Sequence, residues 1–419
     1  MADFNRLWQK DSPAVDSMSE TDVYKILMLY FIWRWFPNLP VKFAFTNRTK
    51  AVRLGDEVDI GLIKENIRHV QQLLFTDAEI ANYRSWGMFP ETFLRDLRTI
   101  SLPDVLVEKT SGGQLRIEVE GLWFHVTLWE LYILPIVSEL RVRQFVGEDA
   151  SDHLRFIKEG EARLMAKIPM IRQLSENSKI SLFDLRRRAT GLWERHTSGI
   201  LLNEVPKHIA GISNVQVAYE LGVEATGTNA HELPMAISAL RGLESDEALR
   251  NAPFEVLKKW QRIFGHKALI MLPDAYGSEA FFRSVPDHFL RDYKGSRQDS
   301  GDPFAYGEMV IGTYKDHGIN PMDKLIIFSD GLTVEKMIEL ERRFIGRILV
   351  AFGWGTNKGF DFGDLFKALS MVMKLVMAAG ESAVKLSDNI EKAIGELLAI
   401  ERYKHLHRYA ITFRETPVY

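Results

Sequence analysis

Seven consecutive residues, Arg297 to Pro303, form the densest set of chemically useful side chains in this sequence. They read Arg-Gln-Asp-Ser-Gly-Asp-Pro and combine a guanidinium, two carboxylates and a hydroxyl with a turn glycine. They follow a run at Phe289–Tyr293 that we interpret as a strand, and they precede a predicted helix at Phe304–His317. A loop of this kind suits a phosphorylated, metal-bound group and an anionic ring. The alternative is structural, because Asp-Ser-Gly-Asp-Pro is also typical of a turn followed by a helix cap.

Five further polar clusters follow apolar runs. They are Gly211–Val215, which contains Ser213; Thr226–Glu232, which contains His231; Asp274–Gly277; Ser329–Gly331, which contains Asp330; and Gly353–Asn357, which contains Gly355 and Thr356. Glycines let backbone N–H groups approach an anion, and the start of a following helix favours negative charge. Each cluster alone is weak, because Ser-Asp-Gly and Gly-x-Gly-Thr are common turns and a histidine at a helix start is more often a cap. Their joint placement after successive predicted strands indicates a shared site.

The elements that must position these clusters begin at about Lys179, where short apolar runs alternate with helical patterns. Strand–helix alternation is typical of parallel strands joined by right-handed crossovers, with the chemistry at the carboxyl ends of the strands. We therefore predict an α/β fold, built as an irregular barrel or near-closed sheet. The predicted strands are Ile180–Phe183, His208–Ile212, Val223–Thr226, Ala268–Leu272, Phe289–Tyr293, Leu325–Phe328 and Ile348–Phe352.

An N-terminal α+β lobe is predicted before this region. Its first helix follows Ser19, interpreted as the N-cap, with apolar residues at helical spacing. The other elements predicted here are a strand at Val41–Thr46, helices between Glu57 and Arg98, a strand pair at Leu115–Glu120 and Trp123–Leu128, and helices at Glu130–Gln144 and Asp152–Gln173. After Leu365, strands at Met371–Met377 and Ala383–Leu386 are expected to return to the first lobe. The predicted domains are 1–150, 151–365 and 366–419.

Composition excludes several classes of function. The formal net charge of −3 gives no reason to expect nucleic-acid binding. The sequence has no cysteine, which excludes disulfides, thiolate metal sites and a cysteine nucleophile. The first residues, Met1–Arg6, lack a secretion signal, and the apolar stretch Ile26–Phe36 is too short to cross a bilayer. We expect a cytoplasmic protein with no membrane association.

Nine motifs in order along the chain resemble the nicotinate phosphoribosyltransferase family. No single motif is decisive, but the ordered set spans nearly the whole chain and is highly specific. The motifs are Thr21–Lys25, Phe45–Thr49, Phe183–Arg188, Gly211–Asn214, Gly227–Glu232, Arg297–Pro303, Phe328–Leu332, Phe352–Asn357 and Lys385–Asp388. The resemblance implies an ATP-assisted condensation of nicotinate with phosphoribosyl pyrophosphate, giving nicotinate mononucleotide and pyrophosphate. It also implies the barrel of type II phosphoribosyltransferases, Mg²⁺ and a homodimer.

The resemblance also assigns roles to residues. His231 is similar to the histidine that accepts the γ-phosphate of ATP, and Asp274 to the carboxylate that orients it. Asp299, Asp302 and Asp330 suit ribose hydroxyls or Mg²⁺, but the metal ligands themselves are left open. Either Arg186 or Arg297 is expected to hold the nicotinate carboxylate. The remaining expected substrate contacts are ring stacking by Phe183, ring contact by Tyr24 across the dimer, and binding by Ser213, Ser329, Gly331, Gly353, Gly355 and Thr356.

Departures from the family pattern leave rival interpretations. Asp184-Leu185 replaces a compact Gly-Thr turn beside the ring pocket, and Trp354 is bulky for a place between two loop glycines. A carboxylate at Asp184 would repel nicotinate but accept an amide N–H, which makes nicotinamide an alternative acceptor. Quinolinate is less favoured, since its chemistry needs no phosphohistidine. A different class of protein, a non-catalytic nucleotide sensor on the same scaffold, is the other alternative.

Overall fold

The computed structural model describes residues 12–415 and contains two β-sheets. The prediction made on the first residues, Met1–Arg6, and the ends of the predicted outer domains lie outside the described residues. The strands are β1 (Pro40–Asn47), β2 (Val105–Lys109), β3 (Leu115–Leu122), β4 (Lys179–Leu182), β5 (Ile209–Ile212), β6 (Ile270–Met271), β7 (Gly295–Gln298), β8 (Leu325–Phe328), β9 (Leu349–Trp354), β10 (Met371–Ala378) and β11 (Glu381–Ser382).

Eighteen α-helices in residues 12–415 surround these sheets, and none is long and apolar enough to span a membrane. They are α1 (Val23–Trp35), α2 (Leu54–Glu57), α3 (Ile60–Gln72), α4 (Asp77–Ser85), α5 (Glu91–Arg98), α6 (Trp123–Val126), α7 (Trp129–Val146), α8 (Ala150–Ile171), α9 (Gly191–Glu204), α10 (Val215–Glu220), α11 (Glu232–Arg241), α12 (Asp246–Phe264), α13 (Ser278–Ser284), α14 (Asp287–Asp292), α15 (Pro303–Asp316), α16 (Val334–Phe344), α17 (Thr356–Gly359) and α18 (Leu397–His407).

The first sheet is antiparallel, in the order β11-β10-β1-β3-β2. In β1 the side chains of Val41, Phe43 and Phe45 alternate into the core, as expected for a strand with one buried face. The pairing of β1 with β10 joins a strand from near the C-terminus to the N-terminal lobe. The domain boundaries at 150 and 365 stay a prediction.

The second sheet is parallel, in the order β5-β4-β9-β8-β7-β6, and it confirms the predicted α/β class. The segment after α10 lies between the two edges. Ile212 forms a parallel bridge with Ala225, and the Asn229 side chain donates to the Ile270 carbonyl at 3.4 Å. This segment makes one bridge and one side-chain hydrogen bond to its neighbours, where a regular strand would form a ladder of backbone hydrogen bonds. The ring of strands is therefore irregular at this point.

Two strands predicted in this region differ from the structure: one is a helix, and the other is limited to a single bridge. Phe289–Tyr293 lies mostly in helix α14, and the strand is Gly295–Gln298 instead. Phe289 and Tyr293 are four residues apart, so one helical face buries both of them. The real strand reads Gly-Ser-Arg-Gln and carries no apolar signal, although all four residues are buried. Val223–Thr226 forms only the bridge at Ala225.

Three predictions in the flanking regions are also wrong. The partners of β3 are β1 and β2, while Trp123–Val126 is a helix. Asp22, rather than Ser19, is the N-cap of α1, and the Ser19 hydroxyl pairs with Tyr83 Oη at 2.8 Å. The strand predicted at Ala383–Leu386 is not formed; the short strand β11 lies just before it, and the Leu386 N–H instead donates to the Ala275 carbonyl.

Candidate active site

Seven segments meet at the carboxyl edge of the parallel sheet, including the one that carries His231. Successive strands lead into them, as the sequence predicted: β4 into Phe183, β5 into Ser213, β7 into Asp299, β8 into Ser329 and β9 into Gly355. Asp274 lies in a short 3₁₀ turn after β6. We call the part around His231, Asp274 and Asp299 the imidazole end. The part around Phe183, Arg186 and Gly353 is the aromatic end.

His231 and Asp274 form the centre of the imidazole end. His231 Nε2 lies 2.5 Å from Asp274 Oδ1, and both side chains are buried. The other oxygen of Asp274 accepts from Ser300 Oγ at 2.6 Å and lies 3.3 Å from Lys385 Nζ. Asp274 is thus held by three partners, and it fixes which nitrogen of the imidazole remains available.

His231 lies closer to the start of α11 than a cap at Thr228 would place it. Thr228 is not the N-cap of α11; His231 itself occupies that position, and Thr228 Oγ1 is buried with no hydrogen-bond partner in residues 12–415. The chain between Thr228 and His231 is not helical, and Asn229 within it bonds residues of β6 and β7. His231 still lies directly at the helix start, where backbone N–H groups are exposed.

The pKa shifts at this pair favour a neutral imidazole. Burial lowers the pKa of His231, and Asp274 only partly opposes that shift. Burial alone would raise the pKa of Asp274, but His231 and Lys385 hold it well below its usual range. At neutral pH the ring is uncharged beside an ionised carboxylate. With Nε2 bound to Asp274, Nδ1 is the free nitrogen, 3.7 Å from Asp299 Oδ2.

Two further carboxylates border the imidazole. Asp299 Oδ1 accepts from Ser329 Oγ at 2.9 Å, and Asp330 pairs with Lys392, whose Nζ also donates to the Asp299 carbonyl at 3.2 Å. Burial opposes ionisation of Asp299, but Arg297 and His231 hold its pKa below the usual range. Burial instead raises the pKa of Asp330 despite Lys392. Asp299 is therefore the permanently charged member of the two, and its side chain keeps 30% of its surface exposed.

Close approach of a ring and a glycine defines the aromatic end. A methyl group added at Gly353 would lie 2.6 Å from Phe183 Cε2 and 3.0 Å from Ser329 Cβ, so only glycine allows the ring to rest on β9. Phe183 is half-buried and keeps part of its ring accessible. Trp354 causes no obstruction, because its side chain is fully buried under the sheet edge. Arg187 donates to Thr356 Oγ1 at 3.3 Å and anchors the loop that follows.

Arg186 is the accessible cation of the aromatic end. Its side chain is 35% exposed, and its guanidinium lies 3.6 Å from the buried Glu130. Tyr24 is buried within its own chain, and its hydroxyl is close enough to Arg186 and Glu130 for both to affect its pKa, which burial raises. Ser213 Oγ donates to Asp22 at 2.5 Å, which links β5 to the start of α1.

A buried lysine neutralises the unusual carboxylate Asp184. Lys358 Nζ lies 2.9 Å from Asp184 Oδ2 and also donates to Ser198 Oγ at 2.7 Å. Asp184 and Lys358 are both buried, so the ion pair strongly reduces the field that the carboxylate exerts on the pocket. The objection that Asp184 would repel an anionic ring is thereby weakened.

Arg297, Asp302 and Gly331 each have a structural role in this chain. Arg297 is buried and donates to the Asn229 carbonyl at 3.1 Å, so it holds the segment before His231. Asp302 is exposed and caps α15 by accepting from Phe304 N at 2.8 Å. Gly331 is exposed with a φ of +56°, as the turn after Asp330 requires. Asp302 is thus a helix cap, which is the structural interpretation of the Asp-Ser-Gly-Asp-Pro motif.

Sequence reasoning missed the charges that join the two ends. Buried Lys25 Nζ lies 3.0 Å from Glu130 and also pairs with Glu232, the residue after His231. Glu232 further accepts from Thr127 Oγ1 at 2.6 Å. Lys374 contacts Glu130 at 3.1 Å. Lys25 lies in a recognised motif, but no pattern marks Glu130 as its partner.

Comparisons with known proteins agree with this geometry. Residues 20–138 match the model of the nicotinate phosphoribosyltransferase N-terminal domain, and residues 178–411 match that of the nicotinate phosphoribosyltransferase family. The crystal structure of nicotinate phosphoribosyltransferase from Porphyromonas gingivalis is similar with a TM-score of 0.85 and 28% identity, covering 94% of this chain and 100% of that one. The Vibrio cholerae nicotinate phosphoribosyltransferase gives a TM-score of 0.84 and 31% identity, covering 94% of each chain. The predicted resemblance is confirmed, and the chain belongs to the nicotinate phosphoribosyltransferase family.

Proposed function

We propose that this protein transfers phosphoribosyl from phosphoribosyl pyrophosphate to nicotinate, with ATP cleavage at His231 assisting the reaction. The observation that carries the proposal is the convergence of two groups at one sheet edge. These are the neutral His231–Asp274 pair with its carboxylate neighbours, and the Phe183 ring beside the exposed Arg186. The product is nicotinate mononucleotide, a precursor in NAD biosynthesis.

In the transfer step, the ring nitrogen of nicotinate forms a bond to C1 of the ribose as the bond from C1 to pyrophosphate breaks. Positive charge develops on the ribose in the transition state, and ionised Asp299 is the nearest fixed negative charge at the sheet edge. Asp330 and Ser329 are the neighbouring groups suited to the ribose hydroxyls. Gly353, Gly355 and Thr356 are assigned to the 5-phosphate.

Nicotinate is assigned to the aromatic end. Phe183 offers a ring face, and Arg186 offers a guanidinium for the carboxylate. Arg297 is less suited to that task, since it is buried and already holds the Asn229 carbonyl. The Lys358–Asp184 ion pair favours nicotinate over nicotinamide, because it neutralises a carboxylate that would otherwise prefer an amide.

The phosphorylation step follows from the geometry of His231. Nδ1 attacks the γ-phosphorus of ATP and displaces ADP, while Asp274 holds Nε2 and stabilises the developing positive charge of the ring. Water later cleaves the phosphohistidine to phosphate, which restores the imidazole. The phosphorylated state couples ATP cleavage to the transfer.

Mg²⁺ fits the residues of the imidazole end. Mg²⁺ prefers oxygen ligands and is usually held by one or two carboxylates together with substrate phosphates. Asp299 meets that need directly, and Asp330 would do so by exchanging its partner Lys392 for the ion. Asp274 is engaged by three groups, His231, Ser300 and Lys385. The ion would neutralise the phosphates of the substrate. In calorimetry, we expect Mg²⁺ to tighten phosphoribosyl pyrophosphate binding in the wild type, and to do so much less in Asp299→Asn.

The decisive experiment is an assay of the purified protein with nicotinate, phosphoribosyl pyrophosphate, Mg²⁺ and ATP. Nicotinate mononucleotide is the expected product, and its absence would reject the proposal. A preference for nicotinamide in direct competition would favour the alternative acceptor. Tight mononucleotide binding without turnover would identify the nucleotide sensor.

His231→Asn tests the ATP step separately. We expect the variant to lose ATP hydrolysis and the phosphoenzyme, while a slower, ATP-independent transfer remains because Asp299 and Asp330 are unchanged. The measurement is incorporation of label from γ-labelled ATP into an acid-labile phosphoenzyme. If the variant is still labelled, His231 is not the acceptor.

The homodimer and the cytoplasmic location stay predictions. Tyr24 was expected to reach the ring site of a partner subunit, but in this chain it lies close to its own Arg186. Sedimentation at assay concentration tests the dimer. A fully active monomer would reject any requirement for a partner.

A further inference from the structure

A second cavity, with a volume of about 240 Å³, lies behind the imidazole end. The loop Pro273–Gly277, which carries Asp274, forms one wall, and helices α12, α13 and α18 supply the others. Tyr276 in this wall donates to the Pro234 carbonyl at 3.1 Å, within the helix that His231 begins. The cavity is therefore separate from the sheet edge but shares a wall with the catalytic pair.

The chemistry of the lining is aromatic and cationic. Tyr276 and His407 stack with ring centroids 4.4 Å apart, and Phe254 and Phe281, also in the lining, have ring centroids 5.5 Å apart. His407 Nε2 is buried without a hydrogen-bond partner in residues 12–415. Burial lowers the pKa of His407 to about 4, so the ring is neutral at physiological pH. These groups suit a flat ring with a polar edge.

Three arginines complete the lining. Arg283 is paired with Glu279 at 2.9 Å. Arg250 and Arg408 are exposed and make no ion pair within the described part of the chain, and Arg250 is close enough to His407 to lower its pKa further. Two unpaired guanidiniums at the rim of an aromatic cavity suit a phosphate dianion more than a single carboxylate.

We propose that this cavity binds a nucleoside phosphate, with its base against the aromatic walls and its phosphate at Arg250 and Arg408. A cavity of about 240 Å³ is too large for inorganic phosphate alone. Because the ligand contacts Tyr276 and Gly277, its binding restrains the loop that holds Asp274 against His231. The site is thereby placed to regulate phosphorylation of the histidine, a consequence that rests on the proposed function; the binding itself does not.

AMP titration by calorimetry tests the binding. We compare the wild type with Arg250→Ala/Arg408→Ala and with Arg155→Ala, which removes an exposed arginine on α8. The double variant should weaken AMP binding at least tenfold, and the control should not change it. Equal binding by the double variant and the wild type would reject the site. So would inorganic phosphate binding as tightly as AMP, because the ring would then contribute nothing.

Hydrogen exchange locates the bound AMP. Slower exchange at residues 273–277 and 403–408 supports the proposal. Protection confined to residues 329–331 and 353–356 would place AMP in the active site and overturn it. Neither measurement uses turnover, so a failure to make nicotinate mononucleotide would leave this test intact.

Discussion

The imidazole end and the aromatic end are built in different ways. The central side chains of the imidazole end, such as Asp274, Asp299 and Ser329, directly follow strands. Two lysines from the C-terminal segment, Lys385 and Lys392, complete that end. The aromatic end depends on partners from distant segments, with Lys358 neutralising Asp184 and Glu130 lying against Arg186. A strand-end motif therefore indicates which groups meet, whereas the charge that a pocket presents depends on partners elsewhere in the chain.

The largest expected effect of a substitution at the imidazole end is that of Asp299→Asn. Asparagine can still accept from Ser329 Oγ, but it removes the negative charge that we propose stabilises the ribose in the transition state. In other enzymes, removing one group that stabilises charge in the transition state lowers kcat by roughly 10²–10³, and we expect a similar fall here. Steady-state formation of nicotinate mononucleotide gives the measurement.

Asp302→Asn is the matched control for that change. Asp302 caps α15, and asparagine is an equally good N-cap, so stability should be preserved. We expect a fall in kcat of about tenfold at most. Equal losses in the two variants would show that both carboxylates act on the substrate, against the distinction drawn here.

Lys25→Met tests the link between the two ends. Lys25 is fully buried between Glu130 and Glu232, so its removal leaves two buried carboxylates without their shared partner. Loss of one member of a buried ion pair typically costs about 3–5 kcal/mol. Urea unfolding measures the loss, and the exposed Lys109→Met, which breaks the pair with Asp56, is the control with little expected change. A similar midpoint for both variants would contradict the proposed link.

Many of the site residues could be predicted from the sequence because they directly follow strands. The sequence identifies His231, Asp274, Asp299 and Phe183 as candidate site residues, and the structure brings the first three together. Strand β7 was misplaced because a buried strand of Gly, Ser, Arg and Gln has no apolar pattern. Lys358 and Glu130 were missed because side-chain pairing over long sequence separations leaves no periodic signal.

Gly353→Ala examines the aromatic end alone. The added methyl group would meet Phe183 Cε2 at 2.6 Å, and the ring must move away from its place on β9. We expect KM for nicotinate to rise about tenfold, equivalent to about 1.4 kcal/mol. Phosphoenzyme formation at His231 should not change. Gly312→Ala, in a helical position with open space around it, should leave both quantities unaltered; a raised KM there would point to a general loss of stability.

Asp388, behind the imidazole end, makes the stability of the fold depend on pH. Burial, with repulsion from Asp274, raises the pKa of Asp388 to about 6, compared with about 3.9 in an unfolded chain. Between these values the folded state binds more protons than the unfolded state, so the contribution of Asp388 to stability decreases as pH rises from about 4 to 6 and is constant above. In the wild type, the Ser278 N–H donates to the Asp388 carboxylate at 2.7 Å. In the variant Asp388→Asn, the asparagine still accepts this hydrogen bond but does not titrate. Relative to the wild type, the variant should therefore gain stability over that pH range, on the order of 2 kcal/mol. Urea unfolding of both proteins at pH 4.5 and 6.5 gives this difference, and a constant difference would show that Asp388 is ionised throughout.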